Sequence, residues 1–216
     1  LVCDSTKDRN PLDLSYSELV NSKVITSIAN TQRKFNNLTI DLCHCLLVDD
    51  YIFEKIEIVI KTFGPRLKKF KLWNSMQPKP SEINEKQLFV LLENVPLLED
   101  FIFKNIYVKE SDDIDKKELN LSNLKSLLLD YCIFDTPAVL LKIPKNVLRE
   151  LTFTFEPNEE QPFQEFFDRQ GKIRKLELFE NEKINFHHFE LHHLKISNNC
   201  DFLQMIQQQP SLKYLD

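Results

Sequence analysis

Bulky apolar residues return along this chain in one spacing: an apolar residue, two others, a second apolar residue, one other, a third. Phe35/Leu38/Ile40 is the first instance. Leu67/Phe70/Leu72, Leu98/Phe101/Phe103, Leu124/Leu127/Leu129, Leu148/Leu151/Phe153, Ile173/Leu176/Leu178 and Leu191/Leu194/Ile196 follow, then a shortened Leu212/Leu215. The starts lie 32, 31, 26, 24, 25, 18 and 21 residues apart, an average of about 25, within the periods of stacked-unit architectures. The last two apolar positions of each phrase stand two apart, the period of a strand with one buried face.

Between the phrases the period changes. Residues 49–63 place Ile52, Ile56, Val59, Ile60 and Phe63 on one helical stripe after an Asp pair suited to N-capping. Residues 84–95 begin with Asn84 as a cap and carry Leu88, Leu91, Leu92 and Val95. Segments 162–171 and 200–209 predict shorter helices. Segment 135–146 predicts a helix with Pro137 in its first turn and Pro144 at its end. The polar links 75–83 and 107–120 read as loops, the second as a mobile insertion. Pro65, Pro96 and Pro210 each stand two places before a phrase, where they stop a helix and favour extended backbone. Gly64 and Gly171 also precede phrases, and are expected to end helices as left-handed C′ residues.

Composition narrows the functions open to such a chain. Its 216 residues are 42% hydrophobic, enough for a sizeable core. Phe is unusually common, with 17 copies against 2 Met and 1 Trp. The net charge of −5 disfavours nonspecific nucleic-acid binding. No apolar run reaches the roughly 18 residues of a membrane span, and LVCDSTKDRN lacks the apolar core of a signal peptide. Two glycines, far apart, cannot build a phosphate-cradling loop. Five cysteines without secretory context read as free thiols. The chain begins without Met and breaks off within the phrase PSLKYLD, so the natural protein is expected to extend beyond both ends.

The recurring phrase resembles that of leucine-rich repeat proteins. In that family the position eight residues after the first apolar one is often Asn or Cys. Cys43, Cys132, Asn181 and Asn199 fit, while Ser75, Ile106 and Glu156 depart. The resemblance covers residues 35–216. It implies an α/β fold: a curved solenoid of about seven to eight irregular repeats, with a parallel concave sheet and outer helices. Residues 1–34 are then an N-terminal flank or cap. Leu1-Val2-Cys3 resembles the closing residues of an F-box, although the Trp that should follow is missing. Together these resemblances imply the substrate-binding part of an SCF-type ubiquitin ligase receptor, working in the cytoplasm or nucleus. A ligase adaptor would bind residues upstream of Leu1.

Function on such a fold belongs to the residues that alternate with the buried ones. These include Lys69, Lys71 and Trp73 from one phrase, Ile102 and Lys104 from the next, then Leu128 and Asp130, Thr152, Phe179 and Lys195. Trp73, Ile102, Leu128 and Phe179 among lysines form a candidate surface for a protein partner, since interfaces favour aromatic anchors near charge. A register slip of one residue would instead turn them into the core.

Other chemistry is read as absent. Cys43-His44-Cys45 is too tight for a zinc ligand pair, and His187, His188, His192 and His193 have no partner pair at finger spacing. Cys43 and Cys132 read as buried turn residues. No cysteine has a base placed to activate it, and acidic pairs such as Asp112-Asp113 and Glu159-Glu160 read as solvated surface. No enzyme activity, cofactor or metal is expected.

Overall fold

The computed structural model describes residues 12–14, 35–42, 48–75, 79–112, 117–154, 163–179, 189–197 and 209–215. The protein is α/β, dominated by one large parallel sheet. Its strands are β1 (Leu12–Asp13), β2 (Asn37–Asp41), β3 (Lys69–Trp73), β5 (Asp100–Lys104), β7 (Ser126–Asp130), β9 (Glu150–Thr154), β10 (Lys175–Phe179), β11 (His193–Ser197) and β12 (Tyr214–Leu215). Their order across the nine-stranded sheet is their order along the chain. All eight phrases fall on strands of this sheet, in matching register: Leu38 pairs with Phe70, Phe70 with Phe101, Phe101 with Leu127 and Leu127 with Leu151. β1 adds a further strand from the stretch before the first phrase, with Leu12 opposite Leu38.

The strand starts share one hydrogen-bond pattern. The Asn36 carbonyl accepts from the backbone N–H groups of both Lys68 and Lys69. The carbonyls of Lys68, Glu99, Lys125, Arg149, Arg174 and His192 each take two N–H groups from the next strand in the same way. This repeated pinning holds the register despite connections of unequal length.

A second, three-stranded parallel sheet consists of β4 (Ser81–Asn84), β6 (Ile106–Lys109) and β8 (Ile133–Phe134). It corrects the reading of 75–83 and 107–120 as loops. Ser81, Ile83, Ile106, Val108 and Phe134 are buried, so these segments carry short alternating patterns of their own. Residues 113–116, within the expected mobile insertion, lie outside the described residues.

Three helices are described: α1 (Asp50–Phe63), α2 (Glu85–Glu93) and α3 (Gln164–Asp168). Asp49 caps α1, accepting from Ile52 N at 2.8 Å. Asn84 and Gln87 form a reciprocal capping box on α2. Segment 135–146 holds only a 3₁₀ turn at Leu140–Lys142. Pro144 forces Ile143 into an extended conformation, ψ 131°. Upstream, Glu85 on α2 accepts from Thr136 Oγ1 at 2.8 Å and Val139 N at 3.2 Å, which diverts that backbone from a helix. The segment expected to be helical at 200–209 lies outside the described residues except for Gln209.

The glycine reading is also corrected. Gly64 has φ −51°, right-handed helical, and no described glycine has positive φ. Gly64 is needed for space: a Cβ there would collide with the Asn94 carbonyl oxygen at the end of α2. The left-handed positions belong to Asn105 (φ 54°), Tyr131 (φ 51°) and Asn146 (φ 60°). The first two are the turns from β5 to β6 and from β7 to β8.

The core is one continuous cluster of strand and helix side chains. Phenylalanines thread it. Phe70 stacks on Phe101 at 5.6 Å, Phe101 meets Phe103, and Phe103 meets Phe134. Phe134 then meets Phe163, which packs edge-on to Phe153 at 4.8 Å. Rings of this size span the gap between neighbouring strands and the layer behind them, which accounts for the excess of Phe.

Candidate functional site

The strand alternation settles which side chains leave the core. Leu72, Phe103, Leu129 and Phe153 are buried, whereas Lys71, Ile102, Leu128 and Thr152 are half-buried on the opposite face. These four stand in direct register across β3, β5, β7 and β9. With strands about 4.8 Å apart, they form a continuous row with two aliphatic residues at its centre. A slip of one residue is therefore excluded for this part of the sheet.

Trp73, Lys104 and Asp130 form the neighbouring row. The Lys71 ammonium lies 3.5 Å from the centre of the Trp73 ring, a cation–π contact that orients both side chains. The Trp73 indole N–H has no hydrogen-bond partner among the described residues, so the ring is held by Lys71 and by packing. Lys104 pairs with Asp130 at 2.6 Å, and Lys69 with Asp100 at 2.6 Å. Lys69 and Lys104 are thus balanced by carboxylates one strand away.

Strand alternation would turn two further positions of the Trp73 row outward, but they are not exposed. Asp41 and Thr154, in line with Trp73, are buried at 4% and 7% exposure. Asp41 is drawn in because its Oδ1 accepts from Ser75 N at 3.0 Å. Phe179 lies on β10 opposite Thr154; its side chain lies outside what is described. Lys195 on β11 is in register with Glu177, five strand steps from Lys71, or about 24 Å at the usual spacing. The compact site is therefore Lys69, Lys71, Trp73, Ile102, Lys104, Leu128, Asp130 and Thr152.

Three features escaped the sequence reading. Buried Asn74 and Asn105 stand one residue before the position where the repeat pattern looks for Asn. The Asn105 side-chain amide donates to the Asn74 carbonyl at 3.2 Å, and the Asn74 amide donates to the Lys79 carbonyl at 2.7 Å. Tyr131 occupies the same place in the next phrase, left-handed and 44% exposed. Lastly, Glu99 is clamped between Lys68 at 2.7 Å and Lys125 at 2.9 Å, each just before a neighbouring strand. Hydrogen bonds from both ammonium groups hold its carboxyl down to about 2. The signal for the clamp was available: the second place of each phrase is repeatedly charged.

Cys132 is buried, and its thiol donates to the Phe103 carbonyl at 3.2 Å. Burial pushes it up to about 12, so it is an inert turn residue and no nucleophile. Cys43, His44, Cys45, His187, His188 and Leu1-Val2-Cys3 lie outside the described residues. Among the described residues, no group of His, Cys, Asp and Glu is placed to hold a metal, and no helix is long and apolar enough to cross a membrane. Comparison with protein-family models, with curated proteins and with solved structures yields no match.

Proposed function

We propose that this chain is a non-catalytic protein-recognition solenoid of the leucine-rich repeat kind, serving as the substrate-binding part of an SCF-type ubiquitin ligase receptor. The observation that carries the recognition reading is the row Lys71–Ile102–Leu128–Thr152 with Trp73 beside it. Half-buried aliphatic and aromatic side chains, ringed by paired charges, have the anatomy of a protein interface: an apolar centre and a polar rim. Lys71 and Trp73 are oriented before any partner arrives, which lowers the ordering cost of binding. The ligase assignment rests on the resemblance of the phrases and of Leu1-Val2-Cys3 alone. On that reading the sheet face holds a target and raises its effective concentration near the bound ligase.

Affinity capture of the full-length protein from cells, followed by mass spectrometry, tests both parts. The expected result is that a ligase adaptor is recovered with the unaltered protein and with Trp73→Ala/Phe179→Ala, while one further protein is lost from the variant. Loss of nothing in the variant would remove the sheet face as the site. Absence of any adaptor would leave a leucine-rich repeat scaffold or regulator unrelated to ubiquitin as the better account.

A further inference from the structure

The residue just before each strand forms a column along one margin of the large sheet. On β7, β9, β10, β11 and β12 this residue is Lys125, Arg149, Arg174, His192 and Lys213. The doubled backbone hydrogen bonds at the strand starts fix these positions in register, about 4.8 Å from one strand to the next. The earlier end of the column shows what the geometry does with a carboxylate. Glu99 lies between Lys68 and Lys125 and takes a hydrogen bond from each.

Beyond Lys125 the column supplies no further carboxylate. Arg149, Arg174 and Lys213 have no ion pair among the described residues, and Arg174 and Lys213 are exposed. The Arg149 guanidinium is already oriented, donating to the carbonyls of Asn146 and Leu148 at 3.2 Å each. Its remaining N–H groups can still meet an acceptor. Exposed Lys172, two residues before Arg174, adds to the positive field.

We infer that this margin docks an acidic segment of another protein, whose Asp or Glu side chains sit among Arg149, Arg174 and Lys213 as Glu99 sits between Lys68 and Lys125. Arginine forks suit carboxylates. Exposed Glu150 and Glu190 interrupt the margin, and the whole chain carries −5. Both oppose a continuous polyphosphate, which would present charge at every step. A short peptide can place its carboxylates between these interruptions. The inference stands on charge and register, and does not depend on the ligase reading.

Fluorescence anisotropy with a labelled Glu-rich peptide, its Gln-rich counterpart and an oligouridylate of equal length tests it. The Glu-rich peptide is expected to bind the unaltered protein and the Gln-rich one not to. Arg149→Gln/Arg174→Gln is expected to weaken binding on the order of tenfold, with Lys55→Gln/Lys61→Gln on α1 as an equal-charge control that changes nothing. Raising the salt is expected to abolish binding. Equal binding of both peptides, an unaffected double variant, or tighter binding of the oligouridylate would each overturn it. The two-peptide comparison needs no variant, so a folding defect in the double variant leaves the test intact.

Discussion

The side-chain amide of Asn105 donates to the backbone carbonyl of Asn74, 31 residues earlier and one strand away in the large sheet. Asn105 does two jobs. It accepts the left-handed backbone that turns β5 into β6, and it satisfies a buried carbonyl at the matching turn after β3. Asn105→Ala is expected to lose both, costing about 2–3 kcal/mol. Asn105→Gly restores the backbone freedom and is expected to recover roughly half of that loss. Urea denaturation of the three proteins measures the difference.

Tyr131 holds the matching turn after β7 with φ 51°, and the residue is 44% exposed. A β-carbon in this region is strained, and Asn tolerates it better than Tyr. Tyr131→Asn is therefore expected to stabilise the fold by about 1 kcal/mol, raising Tm by roughly 2–4 °C. Calorimetry reads this directly, and a fall in Tm would show that the ring contributes packing.

Gly64 sits where the end of α1 passes the end of α2. Gly64→Ala keeps an acceptable backbone conformation, φ −51°, but drives its methyl group into the Asn94 carbonyl oxygen. Backbone must move to admit it, at a cost of about 1–3 kcal/mol. A thermal melt unchanged from the parent would mean that α1 and α2 can slide apart freely.

The Glu99 clamp gives a defined pH signature. Its carboxyl falls from an ordinary 4.5 to about 2 in the folded protein. A depressed folded value means the contribution is present above 4.5 and is lost as pH falls from 4.5 toward 2. The stability difference between the parent and Glu99→Gln is therefore expected to be largest near neutrality and to shrink below pH 4.5. The carboxyl shift followed by NMR should titrate near 2, and titration near 4.5 would show that the clamp is not populated.

Eight of the nine described strands of the large sheet were readable from the sequence because each phrase buries alternate residues against the same layer, so local period and tertiary demand agree; β1, in the stretch read as a flank or cap, was not. Caps at Asp49 and Asn84 were readable for a similar reason, since a short polar side chain before an apolar stripe has one obvious use. The second sheet was not. Its strands are two to four residues long, too short for a period to stand out from polar flanks. Segment 135–146 has helical spacing, but Glu85, 51 residues from Thr136, claims its backbone and hydroxyl donors. The row Lys71–Ile102–Leu128–Thr152 followed from register once the phrases were aligned. The charge pairing around it did not, because Lys104 and Asp130 meet only through strand adjacency.

The order of the large sheet has a mechanical consequence. Each described strand bonds only to its neighbours in the strand sequence, from β1 to β12. Tension applied at residues 12 and 215, across the strands, would load one seam of hydrogen bonds at a time. The sheet would yield as a zipper does, in a series of small force peaks of extension set by the length of each released segment. A protein whose first and last strands lie side by side would instead resist until a single rupture.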